Sequence, residues 1–467
     1  MQDGKPVQLH VMHDNGGGME RWLRDYCRTD TSRTNLILRS KTANKTHYGL
    51  ELYLQIDDKH PVRSWKFFSP LFTTTITHAE YKSALYEIIR DFKVDCIYVS
   101  SLIGHSLDAM DTGLNTIKIM HDYHPFCPMV NIYLDGVCHE CNFDRLVKCV
   151  GVYGRKAGKK TASDALKVRR HFLRLVLKRN IRLVVPTDSV RRNLIGLETA
   201  FKDAEFVEIG HGVDNDDCTE ERQRAPGAAD GRRKILVLGV LATKKGLQLF
   251  RDSFKEVLGH ADIYLVGCGN NGKLFEGQPG IHVIYKYKQS ELSGIIKDIS
   301  PDLGILMSIV PETFSYTLCE LTNLGIPAMV TDRGAFTDRV VDGVNGFLFS
   351  PDKASLLDRL RRVLSQPEGL ACVRENLLNS PRRTVAEMVA DYHRIAAADS
   401  GIQPVDACIE DVRMPEMARH YFFTLFKPRT WDYFLVKKWR MNVIEIVFRT
   451  KLLKPLLKET SRLLQKI

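Results

Sequence analysis

The sequence predicts two doubly wound α/β domains in tandem with a cleft between them, followed by a basic, aromatic helical extension. Three observations carry that expectation. Apolar runs of strand length alternate with helix-periodic stretches from Val7 onward. The alternation starts afresh at Lys234, after a charged stretch holding Pro226, Gly227 and Gly231 that reads as a linker. The length, 467 residues with 44% hydrophobic content, suffices for two cores and an extension. The expected divisions are 1–215, a linker at 216–233, 234–400 and 401–467.

In the first domain the strands are expected at Val7–Met12, Thr34–Leu38, Cys96–Val99, Thr116–Met120, Leu183–Val185 and Phe206–Ile209. Each is a short apolar or β-branched run of the kind buried parallel strands require. Met19–Cys27, Tyr81–Phe92 and Ser189–Ile195 carry helical periodicity between them. Gly16, Gly17 and Gly18 separate the first strand from the first helix. Glycines there let backbone approach a phosphate or an acceptor, and the helix start favours negative charge. A plain tight turn is the competing reading.

In the second domain Lys234–Gly239, Ile263–Val266, His282–Ile284, Leu303–Met307 and Ala328–Thr331 read as strands, with closing helices at Ala354–Leu364 and Arg383–Ala397. A helix over about Tyr316–Leu324 ends at Gly325, with Pro327 beyond. Glu312 then lies in the loop above a strand end, and Glu320 about two turns into the helix. Open amides at the helix start make an anion site between the two acids. An acid for a sugar, amides for phosphates and an acid for a ribose diol suit a sugar joined to a nucleoside diphosphate. An acidic loop before an ordinary amphipathic helix would look similar on spacing alone.

The neighbouring residues sharpen this. Pro311-Glu-Thr-Phe-Ser-Tyr-Thr-Leu-Cys-Glu320, Gly325-Ile-Pro-Ala-Met-Val330 and Asp342-Gly-Val-Asn-Gly-Phe-Leu-Phe349 resemble, in order, the E-x7-E segment, strand and turn of retaining GT-B glycosyltransferases. The resemblance is to family four (glycosyl transferases group 1). It implies hexose transfer from a nucleotide-sugar to an acceptor hydroxyl, with no metal or other cofactor needed for catalysis. It places Glu312 near the donor sugar, and Glu320 on the ribose. Phe314, Ser315, Tyr316, Thr317 and Leu318 fall at the phosphates. In Gly239-Val-Leu-Ala-Thr-Lys-Lys245-Gly246, Lys245 falls on the family's diphosphate-binding lysine. Val240 stands where many members carry an arginine, and Lys244 is the candidate to compensate. Leu265-Val-Gly267-Cys-Gly269 resembles the family's glycine turn beside the nucleotide, with Tyr285-Lys-Tyr287 at the base-contacting loop. His121, in Ile119-Met-His-Asp-Tyr-His124, matches a histidine that reaches the reacting centre; a histidine satisfied in the cleft wall is the competing reading.

Cys127, Cys138, Cys141 and Cys149 follow closely. The Cys138-x2-Cys141 spacing with two outlying cysteines admits a structural four-sulfur zinc site, and free thiols are the alternative. Eleven cysteines behind a polar, signal-free start favour reduced thiols and a cytoplasmic setting. The net charge of +11 is concentrated: 155–182 holds eleven Lys/Arg against one Asp, and 419–467 twelve against three acids. Such blocks point to an anionic partner. Phe434–Leu453 reads as a basic amphipathic helix. Packing over the first domain and docking on an anionic inner-membrane surface are the leading readings of this tail. Nucleic acid is not an expected partner. The acceptor expected from these segments is a glycan or lipid-linked glycan of lipopolysaccharide, capsule or exopolysaccharide type.

Overall fold

The computed structural model describes residues 4–14, 16–43, 46–72, 75–153, 159–179, 181–214 and 232–397. The extension at 401–467, its expected amphipathic helix and nearly all of the linker lie outside the described residues. So does part of the first basic segment.

The first domain contains β1 (Val7–Met12), α1 (Gly18–Thr29), β2 (Thr34–Ala43), β3 (Thr46–Tyr53), β4 (Arg63–Leu71), α2 (Ala79–Phe92), β5 (Cys96–Val99) and β6 (Asn115–Ile119). It continues with α3 (Phe143–Tyr153), α4 (Lys159–Lys178), β7 (Arg182–Val185), α5 (Asp188–Leu197) and β8 (Phe206–Glu208). Its eight strands lie in the order β4-β3-β2-β1-β5-β6-β7-β8. The pairings from β2 through β8 are parallel, whereas β3 and β4 add on antiparallel. Side chains alternate between the two faces, as the strand period of two dictates. Ile97 and Val99 join one buried cluster and Cys96 and Tyr98 the other.

The second domain runs β9 (Arg233–Leu238), α6 (Leu247–Leu258), β10 (Ala261–Val266), β11 (Ile281–Ile284), α7 (Leu292–Ile299), β12 (Leu303–Leu306), α8 (Tyr316–Asn323) and β13 (Ala328–Thr331). Then come α9 (Ala335–Arg339), β14 (Phe347–Phe349), α10 (Lys353–Leu364), α11 (Pro367–Asn379) and α12 (Val385–Ala397). Six parallel strands stand in the order β11-β10-β9-β12-β13-β14. On β9, Ile235 and Val237 face one core and Leu236 and Leu238 the other. Helices cover both faces, so the strands are apolar throughout.

Two features depart from the sequence reading. The antiparallel β3–β4 ribbon is additional. On β3 the buried Leu50, Leu52 and Tyr53 are interrupted by the partly exposed Glu51, and β4 is an edge strand that accommodates Pro70. The last helix, α12, packs on the first domain instead of finishing the second. Its Met388, Val389 and Tyr392 share a cluster with Trp22 and Tyr26 of α1. Asn115 Nδ2 donates to Ala396 O at 2.9 Å, and His393 Nε2 lies 3.1 Å from Asp30 Oδ2. Among the described residues no helix is long and apolar enough to cross a membrane.

Candidate donor site

The turns at the strand ends of the second domain are shaped by glycines that nothing larger can replace. Gly239, directly after β9, has φ 95°, and a Cβ there would lie 3.0 Å from Thr317 Cγ2. Gly246 has φ 84°, and its Cβ would sit 2.2 Å from Met307 O at the end of β12. The single 3-10 turn Thr243–Lys245 is thereby pressed against that strand end. From it Lys245 Nζ donates to Glu312 Oε1 at 2.5 Å. Glu312 O in turn accepts from Ala335 N at 2.8 Å, fixing the loop that bears the carboxylate.

Helix α8 begins at Ser315, a non-glycine residue at φ 70°, in the left-handed region that L-residues enter at a cost. Its Oγ accepts from Leu318 N at 3.3 Å and lies 3.0 Å from Thr317 Oγ1. The amides of Tyr316 and Thr317 are left as open first-turn donors, the arrangement that favours an anion. Gly239, Val240, Lys245, Ser308, Glu312, Ser315 and Thr317 line one open hollow.

The first domain packs against α8 and against the loop that carries Glu312. A Cβ on Gly18 would lie 3.2 Å from the Tyr316 ring, so the glycine loop passes closely over the start of α8. Arg21 Nη1 donates to Glu320 Oε1, and its guanidinium lies 4.6 Å from the Tyr316 ring centroid. Glu320 is buried and reaches no solvent of consequence. Thr313 Oγ1 donates to His121 O at 2.9 Å, tying the loop after β6 to the loop that carries Glu312. The His121 ring sits between Trp22 and His211, at 5.1 and 5.3 Å, and its buried Nε2 has no partner. Burial, then the neighbouring His211 and Lys118, hold its pKa well below the ordinary 6.5. It is a neutral imidazole with an unused nitrogen. Asp122, whose pKa burial raises, caps the same loop by accepting from His124 N at 2.8 Å.

The structure thus gathers Lys245, Glu312, Ser315 and Thr317 round one hollow; Tyr316 and Glu320 stand on α8 against Gly18 and Arg21 of the first domain, and His121 meets Thr313 of the Glu312 loop through its carbonyl. Gly16 and Gly17 are the positive-φ residues that lead the chain into α1. Phe314 and Leu318 do not line the hollow: Phe314 packs on His211 at 4.4 Å, and Leu318 is core. Lys244 does not line it either; its carbonyl accepts from Ile309 N at 3.0 Å and Ser308 Oγ at 3.2 Å. Gly267 lies beside it, covered by Tyr287, whose Cε1 would be 2.6 Å from a Cβ there. Two residues at the domain junction had no role in the sequence reading. Arg21 carried a faint signal, a cation in the first turn of a helix, where the macrodipole disfavours it. His211 is buried, its pKa pushed to about 3 by burial and the Arg339 and Arg383 charges.

The zinc expectation does not fit. Cys127, Cys138, Cys141 and Cys149 do border one narrow hollow with Arg145 and Arg169. Yet among the described residues no three His, Cys, Asp or Glu side chains are set to hold a metal. Arg169 Nη2 donates to Cys141 Sγ at 3.2 Å and Arg145 Nη2 to Cys138 Sγ at 3.7 Å, so cations already meet the two sulfurs of the Cys138–Cys141 pair. Burial raises the Cys127, Cys138 and Cys149 pKa values, that of Cys149 to about 12, and the four cysteines are unbridged thiols.

Two doubly wound sheets, each covered by helices and set side by side in one chain, make up the GT-B fold. Residues 219–378 match the family model described as glycosyl transferases group 1. Solved structures share the architecture at low identity. A glycosyltransferase from Rickettsia africae is 16% identical, with 85% of this chain and 99% of that one covered at a TM-score of 0.55. Anabaena HepE, solved with UDP and glucose, is 14% identical, with 84% and 99% covered at 0.54. Sucrose-phosphate synthase from Thermosynechococcus elongatus is 12% identical, with 90% and 99% covered at 0.54. No curated protein sequence matches the chain.

Proposed function

We propose that the protein transfers a hexose from a nucleotide-sugar to a glycan hydroxyl with retention of configuration, binding its donor in the hollow at the start of α8. The observation that carries this is the Lys245–Glu312 pair, 2.5 Å apart beneath the open amides of α8. The diphosphate occupies the amides and Lys245, and the ribose the Glu320 carboxylate. As the sugar–phosphate bond breaks, negative charge grows on the departing diphosphate. Preorganised donors aimed at that charge stabilise it most where water is excluded. Glu312 borders the sugar position. The neutral His121, with its unpartnered Nε2, offers a hydrogen bond to the sugar from the opposite domain. No step calls on a metal.

HepE, solved with UDP and glucose, supports a uridine nucleotide as the first donor to try. The acceptor in this reading is a membrane-associated glycan of lipopolysaccharide, capsule or exopolysaccharide type, reached at the cytoplasmic face of the inner membrane. Its support is the concentration of Lys/Arg in 155–182 and 419–467. Donor turnover by wild type, Glu312→Ala and Lys245→Ala tests the assignment, with the anomeric configuration of the product read by NMR. Strong losses in both variants are expected. Equal turnover in all three would defeat it, as would binding of a nucleotide-sugar with no turnover under any acceptor.

A further inference from the structure

We propose that Arg21 is a donor-binding residue, supplying from the first domain the second cation that the diphosphate hollow lacks. The inference rests on the donor site proposed above. Its starting point is charge. A nucleoside diphosphate brings about two negative charges, and the cation lining the hollow, among the described residues, is Lys245 alone. Lys245 shares its charge with Glu312, as Arg21 does with Glu320, so a single cation in the hollow leaves most of the ligand's charge unmatched. Val240, the side chain best placed to add charge from the turn after β9, is apolar and 64% exposed. Arg339, beneath the start of α8, is spent on the Phe314 and Ser315 carbonyls and on Cys319 Sγ. Lys244 does not line the hollow.

Arg21 remains. Its guanidinium stacks 4.6 Å from the ring of Tyr316, which stands between the hollow-lining Ser315 and Thr317. Its side chain is 21% exposed and that of Glu320 is 6% exposed. Glu320 Oε1 engages Nη1 and Asp25 Oδ2 lies 3.8 Å from Nε, so Nη2 is the nitrogen of the five-donor guanidinium left to turn to a ligand. Arg21 can keep those contacts and turn Nη2 to a phosphate oxygen, in the planar geometry that suits phosphate. The second oxygen of Glu320 stays available to a ribose hydroxyl. Tyr287, whose pKa burial and the Glu320 charge raise, borders the same place. Arg21 would thus join the two halves of the nucleotide site and bind donor occupancy to the apposition of the domains.

Calorimetry on the full chain tests this with UDP, ADP and GDP, each beside its free nucleoside. The nucleoside diphosphate that wild type binds most tightly is the probe. Arg21→Ala is expected to weaken that diphosphate roughly 10- to 100-fold, and the nucleoside by less than about threefold, the loss falling on phosphate contact alone. Arg21→Lys should fall between. Val240→Arg placed in the Arg21→Ala background should regain at least about fivefold, because it restores a cation from the other side of the hollow. Tighter or unchanged diphosphate binding by Arg21→Ala would overturn the proposal and make Arg21 a latch that competes for Glu320. Equal loss of nucleoside and diphosphate, with no rescue by Val240→Arg, would overturn it in favour of a packing role. Failure of wild type to bind any of the three diphosphates would instead sink the donor-site reading itself.

Discussion

Replacing Lys245 with methionine keeps much of the side-chain volume and removes the cation that faces the hollow. Two costs follow, and they are separable. Nζ stands 2.5 Å from Glu312 Oε1, and the Glu312 side chain is 14% exposed, so the substitution deletes a phosphate contact and leaves a largely buried carboxylate unpaired. The contact itself, a hydrogen bond between charged partners, contributes about 1.5–3 kcal/mol, or roughly 10- to 150-fold in donor affinity. The unpaired carboxylate then repels the diphosphate; at about 6 Å and an effective dielectric near 20 this reaches about 3 kcal/mol per unit charge before solvent screening. Screening is strong at the open side, because Lys245 itself is 48% exposed. We therefore expect donor binding by calorimetry to weaken by about two to three orders of magnitude in Lys245→Met. Lys245→Met/Glu312→Gln should recover roughly tenfold of that, since it removes the repulsion without restoring the contact. Turnover at saturating donor should fall by roughly a further tenfold or more, because the leaving group gains charge in the transition state. Donor affinity within threefold of wild type in Lys245→Met, or a double variant no tighter than the single, would refute this reasoning.

Three further outcomes are expected. Gly246→Ala forces a Cβ to 2.2 Å from Met307 O at φ 84°, so urea denaturation should show a loss of about 1–3 kcal/mol; an unchanged midpoint contradicts the packing described. His121 has its pKa held well below 6.5 by burial, then by His211 and Lys118, so it is neutral from pH 8 down past 6.5, and kcat should not decline on its account in that window. A fall centred near pH 6.5 that His121→Gln abolishes would show that the imidazole ionises at its ordinary value. Lys118 is fully buried on β6, with Nζ donating to Ile119 O at 2.5 Å, and burial lowers its pKa from 10.5 to about 8. Its charged form is penalised by folding, so the penalty is full below pH 8 and relieved between about 8 and 10.5; wild type should gain up to about 3 kcal/mol relative to Lys118→Met across that window. A constant difference between the two proteins from pH 7 to 10.5 would contradict it.

The second domain was the more legible half because its site is built from segments contiguous in sequence. Glu312 and Glu320 share one loop and helix, Lys245 and Gly246 one turn, and each was assigned from its own neighbours. The strands that carry them are fully buried and read as unbroken apolar runs. What failed was what the fold joins across distance. Arg21 and Glu320 are separated by 299 positions, and nothing near Arg21 announces a carboxylate partner. His211 carried no signal in its own neighbourhood, yet it stacks on the Tyr316 ring at 5.7 Å with the planes 20° apart. The β3–β4 ribbon escaped because an edge ribbon alternates buried and exposed residues only weakly. Helix α12 was placed on the wrong domain because amphipathic period reveals a buried face and not what covers it. The cysteine spacing was compatible with zinc, and the two arginines that instead approach the sulfurs come from α3 and α4, beyond the reach of a spacing argument.

The central claim is that a nucleotide-sugar is held by both domains at once, with its diphosphate on Lys245 and the start of α8. Amide hydrogen exchange on the full chain, with and without a saturating nucleoside diphosphate, tests it most directly. The account predicts slowed exchange in three places together: the Gly16–Arg21 loop and helix start, the Gly239–Gly246 turn, and Ser315–Glu320. Protection confined to one domain, or absent from Ser315–Glu320 while the ligand is demonstrably bound, would contradict it.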